Sequence, residues 1–143
     1  MRYHFQIHKE KKGGYFAQCI EIEGCMTQAE TLHELKENMR EVLNLSISEP
    51  EGSKFLVPRP NDRIKASKDI EVISPDPQVA LAYSVRYFRL KHNLSQKEAA
   101  KKMGYADIFS YQRLESSKCN PTLKTLSKIK EIFPEFSLDR AIG

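Results

Sequence analysis

The 143-residue chain is close to the size of one average domain, so two domains would each have to be small. Its 40% hydrophobic and 29% charged residues are typical of a globular protein and exclude a disordered one. No apolar run approaches the roughly 18 residues of a membrane span, and residues 1–8 lack the apolar core of a signal peptide. We therefore expect a cytoplasmic protein with no membrane partner, in which the three cysteines, at no metal-like spacing, are reduced thiols.

Positive charge is concentrated in the second half of the chain. Residues 1–74 contain 11 Lys and Arg against 12 Asp and Glu, a balance of −1, whereas residues 75–143 contain 12 against 7, a balance of +5. A basic module beside a nearly neutral one predicts a polyanionic partner for the basic module and another task for its neighbour.

The first module begins with three predicted strands. Residues 3–8 alternate between apolar and polar side chains, which predicts a strand with one buried face. Residues 11–14 predict a hairpin tip, and residues 15–22 its partner strand. That strand carries apolar residues on both faces, with Phe16, Ile20 and Ile22 on the second, so it is either central or meets another chain. Residues 25–29 predict a third short strand.

A helix, a loop and a fourth strand complete the first module. Thr31 and Glu34 form a capping box, and a stripe of apolar residues follows: Leu32, Leu35, Met39, Val42, Leu43 and Ile47. Prolines and a glycine predict a long loop over residues 48–68, and residues 70–73 predict a strand that joins the sheet. We therefore expect a first domain at residues 1–74, a linker at 75–78 and a second domain at 79–143.

The second module is predicted to contain only helices. Their expected bounds are 77–92, 95–103, 107–115, 122–133 and 137–142. Asn93 can end the first helix in a left-handed conformation. Ser95 and Glu98 form a second capping box at the start of the next helix.

Three segments of this module carry a helix-turn-helix signature: LSQKEAAKKMG at 94–104, SYQRLE at 110–115 and NPTLKTL at 120–126. Ala100 allows two helices to approach, Gly104 permits a tight turn, and Leu114 closes the core beneath the following helix. Residues 79–140 resemble the Cro and lambda-repressor (XRE) family of DNA-binding domains. From Gly104 to Glu115 the chain is one residue longer than the commonest family spacing, and the extra residue lies near Tyr105 or Ala106.

The resemblance implies that residues 107–113 enter the major groove of operator DNA and that Arg89 and Glu115 form an internal ion pair. The residues expected to bind DNA are Gln96, Asp107, Ile108, Phe109, Gln112, Arg113, Lys118 and Lys124. Gln96 and the lysines would contact phosphates, and the others would lie in the groove. The alternative is that the same pattern is only a five-helix bundle with a solvated basic face.

Residues 15–35, YFAQCIEIEGCMTQAETLHEL, resemble the HicB antitoxins, with Glu23 where a proline often stands. The resemblance covers about residues 3–74 and implies a partial RNase H-like βββαβ domain without nuclease chemistry. Such a domain binds and masks a small, mRNA-cleaving HicA toxin. The apolar residues Phe55, Leu56 and Val57 in the predicted loop are candidates for the toxin contact.

Enzyme interpretations are weaker than binding interpretations. Glu21 and Glu23 could be metal-binding carboxylates of a nuclease, and His4 and His8 share a strand face, yet neither pair has the further ligands that a metal needs. Nothing places a base beside Cys19. We expect no catalysis, metal or cofactor.

The predicted fold is therefore α+β, an RNase H-like domain followed by an all-helical helix-turn-helix domain. Two functions remain open. The protein is a type II antitoxin that neutralises a HicA-like toxin and represses its own operon, or it is a stand-alone repressor whose first domain senses a ligand or dimerises. A single helix-turn-helix reads only a few base pairs, so we expect a homo-oligomer, either dimer or tetramer, on a palindromic operator.

Overall fold

The computed structural model describes residues 1–48 and 53–143, which divide into two compact units. The N-terminal unit comprises Met1–Ile47 and Val57–Asp76, and the C-terminal unit comprises Ser48–Leu56 and Pro77–Gly143. Part of the predicted loop, residues 49–52, lies outside the described residues. Among the described helices, none combines the length and apolar character needed to cross a membrane.

The N-terminal unit is built on a four-stranded antiparallel sheet. Its strands are β1 (Tyr3–Lys9), β2 (Tyr15–Cys19), β3 (Met26–Ala29) and β4 (Ile70–Ile73), in the order β3-β2-β1-β4. Phe5 lies opposite Cys19 on one side and Glu71 on the other. β3 runs parallel to β1, because both are antiparallel to β2, and β4 runs antiparallel to β1. β3 and β4 therefore run in opposite directions, and the segment between them is not a parallel crossover. An α+β architecture is present, and the RNase H-like assignment stays a prediction.

One face of this sheet is covered by α1 (Leu32–Ile47). The buried stripe of the helix consists of Leu35, Met39, Leu43 and Ile47. The sheet residues Tyr3, Phe5, Ala17 and Cys19 are buried as well. Leu32, predicted to belong to the stripe, is instead 55% exposed. It is the first residue of α1, and the buried stripe starts one turn later.

The opposite face of the sheet is polar with apolar side chains near β2 and β3. Ile20 and Met26 are exposed and Phe16 is half-buried. The prediction that Ile22 shares this face is wrong, because β2 ends at Cys19 and Ile22 turns into the core.

The C-terminal unit contains five α-helices among the described residues. They are α2 (Pro77–Lys91), α3 (Gln96–Lys102), α4 (Ile108–Gln112), α5 (Leu123–Ile132) and α6 (Leu138–Ile142). The predicted helix at 107–115 is divided into α4 and a 3₁₀ turn at Arg113–Glu115. Asn93 has a φ of 56° directly after α2, and its N–H donates to the carbonyl of Leu90, which confirms the predicted left-handed helix end.

A single apolar core holds these helices together. Its buried residues include Val85 and Phe88 of α2, Ala100 of α3, and Ile129 and Phe133 at the end of α5. The rings of Phe88 and Phe133 stack with centroids 6.3 Å apart. The spacing of Leu123, Leu126, Ile129 and Phe133 predicts one apolar stripe along α5. Leu123 is instead 83% exposed, because it is the first residue of the helix and lies outside the buried part of that stripe.

Candidate nucleic-acid interface

The first helix of the motif, α3, is fixed by a complete capping box. Ser95 Oγ accepts from the N–H of Glu98, and Glu98 Oε1 accepts from the N–H of Ser95. The hydrogen bonds from Ser95 lower the pKa of the Glu98 carboxyl, as expected when the charged form accepts them. This confirms the predicted capping box and places Gln96 at the first position of α3.

A tight turn follows α3. Gly104 has a φ of 77°, its N–H donates to Lys101, and the N–H of Tyr105 donates to Ala100, which together form a Schellman motif. Tyr105 and Ala106, near which the sequence places the extra residue, belong to the turn ahead of α4. The candidate recognition helix consists of α4 and the 3₁₀ turn at Arg113–Glu115 that follows it.

Asp107 is the N-cap of α4. Its carboxylate accepts from the N–H of Ser110 at 2.9 Å and from the Ser110 hydroxyl at 3.3 Å. These contacts satisfy an orphan donor of the first turn. Asp107, predicted to bind DNA, is thus placed where it orders the start of the recognition helix.

The recognition helix has an apolar inner face and a mixed outer face. Tyr111 and Leu114 are buried beneath it, as the spacing predicts. Phe109 is 72% exposed, Arg113 is exposed, and Ile108 is half-buried. Phe109 and Arg113 are four residues apart and therefore lie above one another on the outer face.

Gln112 differs from its predicted outward position. Its Nε2 donates to Gln96 Oε1 at 3.1 Å, and Gln96 Nε2 in turn reaches Glu115 Oε1 at 3.5 Å. The amide nitrogen of Gln96 points toward the Glu115 carboxylate, so the amide oxygen of Gln96 is the atom that accepts from Gln112. Gln112 is half-buried and connects the recognition helix to the start of α3.

The buried end of this network is the ion pair of Arg89 and Glu115. Arg89 Nε lies 2.6 Å from Glu115 Oε2, and Arg89 Nη2 lies 3.0 Å from Oε1, in a bidentate arrangement with both side chains almost fully buried. Burial opposes the charge of Arg89, but the hydrogen bonds and charge of Glu115 outweigh it and raise its pKa. Burial, followed by the charge of Glu115, raises the pKa of the Tyr111 hydroxyl. Arg86 adds a second cation, with its Nε 3.7 Å from Glu115 Oε1.

The two predicted phosphate-binding lysines lie beyond the recognition helix. Lys118 is exposed in the loop after the 3₁₀ turn, and Lys124 is exposed in the first turn of α5. The helix dipole disfavours a cation at an N-terminus, so Lys124 does not stabilise α5 through the dipole. An anion at that end would interact favourably with both the lysine and the helix N–H groups.

Candidate groups of the N-terminal unit have structural partners. Glu21 Oε1 lies 2.6 Å from His4 Nδ1 and accepts from the N–H of Asn61, and Glu21 Oε2 accepts from the N–H of His4. No cluster of three or more potential metal-binding side chains occurs among the described residues. Glu21 therefore joins β1 to the segment that precedes β4.

The three predicted toxin contacts differ in accessibility. Phe55 is 60% exposed and Leu56 is half-buried, whereas Val57 is 5% exposed and belongs to the core of the N-terminal unit. Burial leaves the Val57 side chain unavailable to a partner.

Comparison with known families matches residues 85–139 to a helix-turn-helix family. The matched segment contains α3, the turn at Gly104 and α4, the elements that order the outer face described above. No curated protein matches the chain. Residues 85–139 therefore match an XRE-like helix-turn-helix domain, which suggests a DNA-binding regulator of transcription. The resemblance of residues 15–35 to HicB antitoxins stays a prediction.

Sequence reasoning missed the bond between Gln96 and Gln112. The two residues are 16 positions apart, and no local pattern indicates that their amides meet. The one available signal was the presence of a glutamine at the first position of α3 and another at the last position of α4.

Proposed function

We propose that the protein is a type II antitoxin whose N-terminal unit neutralises a HicA-like, mRNA-cleaving toxin and whose C-terminal unit binds operator DNA to repress the operon. The observation that carries the DNA-binding half is the outer face of a capped recognition helix, with Phe109 and Arg113 exposed, inside a segment that matches the helix-turn-helix family. The excess charge of +5 in residues 75–143 supports a polyanionic partner.

The side chains of the recognition face divide into three roles. Arg113 would read guanine, whose N7 and O6 accept paired hydrogen bonds from a guanidinium. Lys118 and Lys124 would contact phosphates, which position the domain without reading sequence. Gln112 would hold Gln96 in place instead of reading adenine, since its amide already donates within the domain.

Arg113→Ala is expected to weaken operator binding by about 1–3 kcal/mol and to relax sequence preference at one base pair, because a bidentate base contact is lost. Lys124→Ala is expected to weaken binding to operator and scrambled DNA alike and to lower the salt slope by roughly one. Titrations of the full chain on both DNAs at several salt concentrations measure each effect.

Lys128→Ala is the control for Lys124→Ala. The Lys128 ammonium already pairs with Glu131 at 3.3 Å, so we do not expect it to contact a phosphate. Equal losses on operator and scrambled DNA for Arg113→Ala would remove this residue from base reading.

The antitoxin half is supported by the resemblance of residues 15–35 to HicB proteins and by the surface of the N-terminal unit. Ile20 and Met26 are exposed on one side of the sheet, which a binding partner can cover. Glu21 is engaged by His4 and Asn61, which favours a structural role over a nuclease role. We therefore propose a binding protein and not an enzyme.

The antitoxin proposal predicts that a neighbouring reading frame encodes a small basic protein, and co-expression with that protein tests it. We expect the two proteins to purify together and the full chain to suppress cleavage of mRNA by its partner. Ile20→Ser, on the exposed side of the N-terminal sheet, is expected to weaken suppression more than DNA binding. Phe55 belongs to the C-terminal unit and Val57 is buried, so neither is used in this test.

Lys11→Ser, on the exposed tip between β1 and β2, is the control.

Light scattering on the purified complex distinguishes a dimer from a tetramer. Operator binding by a chain that neither binds nor inhibits the neighbouring protein would favour the alternative, a stand-alone repressor.

A further inference from the structure

The recognition helix exposes a large apolar ring. Phe109 is 72% exposed in the first half of α4, while its neighbour Tyr111 is buried in the core of the domain. A ring in this position contributes nothing to the apolar core. Its position on the outer face of α4 leaves the ring available to a partner that contacts this helix.

The chemistry of the major groove supplies one apolar group. Thymine alone carries a C5-methyl there, and apolar side chains such as Phe recognise it, whereas the other three bases present only hydrogen-bonding atoms. Guanine is recognised instead by arginine, and Arg113 lies four residues after Phe109 on the same outer face.

We propose that Phe109 is a specificity-determining residue that recognises the methyl group of a thymine in each operator half-site. This inference rests on the proposed DNA-binding function and adds the base that is read. Four helical residues rise about 6 Å, close to two base-pair steps of about 3.4 Å. The thymine read by Phe109 therefore lies within about two base pairs of the guanine read by Arg113.

Charge complementarity favours DNA over an apolar protein as the occupant of this face. Arg113 is exposed beside the ring, and Lys118 and Lys124 are exposed after the recognition helix. The carboxylate of Glu115 is buried against Arg89, and that of Asp107 is engaged with Ser110. DNA fits this distribution of charged and apolar side chains, because its phosphates are anionic and its major groove presents the thymine methyl group.

The test starts with an operator selected by the full-length chain from random duplex DNA. Each thymine is then replaced by deoxyuracil, which removes the methyl group and leaves base pairing intact. We expect one thymine per half-site at which this change weakens wild-type binding by about fourfold, the value of one buried methyl-sized group. A T·A to C·G exchange at that position is expected to lose affinity that 5-methylcytosine partly restores.

Phe109→Ala is expected to bind the thymine and deoxyuracil operators equally, because the side chain that senses the methyl group is gone. Leu123→Ala is the matched control, since Leu123 is also an exposed apolar residue but lies outside the recognition helix, and this variant should keep the fourfold difference.

The outcomes separate this inference from the proposed function. Sequence-specific binding that is insensitive to deoxyuracil at every thymine, or a sensitivity that persists in Phe109→Ala, overturns the inference and leaves DNA binding in place. Failure to select any preferred duplex overturns the DNA-binding function itself.

Discussion

Glu115→Gln will destabilise the C-terminal unit by about 3–5 kcal/mol, the cost of removing one partner from a buried ion pair. The carboxylate accepts two hydrogen bonds from Arg89 and lies 3.7 Å from Arg86. Its neutralisation leaves two buried guanidinium groups without this anion. We expect Arg89→Met to be less damaging, because Arg86 then remains beside the carboxylate.

Hydrogen exchange in the full chain measures this effect where it occurs. Amides of α2 and α5 should lose protection, while those of β1 and β2 should not. Glu131→Gln is the matched control, because its pair with Lys128 is exposed and such pairs contribute less than about 1 kcal/mol. Equal effects of the two Glu→Gln substitutions would show that the buried pair contributes no special stability.

Glu21→Ala will destabilise the N-terminal unit by about 1–3 kcal/mol for each buried donor that it leaves without an acceptor. The lost carboxylate accepts from two backbone N–H groups, those of His4 and Asn61, and contacts the ring of His4. The side chains of His4 and Glu21 are 7% and 4% exposed, so water does not readily replace these contacts.

Glu23→Ala provides the control, because Glu23 lies two residues away and is exposed. Amide exchange in β1 and around Asn61 should accelerate in Glu21→Ala alone. Operator affinity that survives in this variant would indicate that the two units function separately. Similar exchange in both variants would mean that the Glu21 contacts are not needed for the fold.

Local features of this protein were predictable because each depends on residues close together in the chain. The capping box of Ser95 and Glu98 and the left-handed Asn93 involve neighbouring backbone groups, and their spacing in the sequence is their spacing in the helix. Alternation over residues 3–8 similarly predicts β1 and the burial of Tyr3 and Phe5 on one face. It does not predict that His4, on the other face, is buried as well.

Apolar side chains at the ends of elements were harder to predict. Leu32 and Leu123 continue the apolar periodicity of their helices, and the pattern alone places both in the core. Each is the first residue of its helix and lies on the surface. Burial at a helix end depends on what other elements reach it, which is not a property of the helix sequence.

The α+β class, the helix-turn-helix elements and the positive charge of residues 75–143 follow from the sequence. The hydrogen bond from Gln112 to Gln96 and the contacts of Glu21 with His4 and Asn61 are seen only in the folded chain. The antiparallel pairing of β4 with β1 is likewise a property of the folded sheet. Local patterns reflect interactions over a few residues, whereas these contacts join positions 16 to 70 residues apart, and their geometry exists only after the elements have packed.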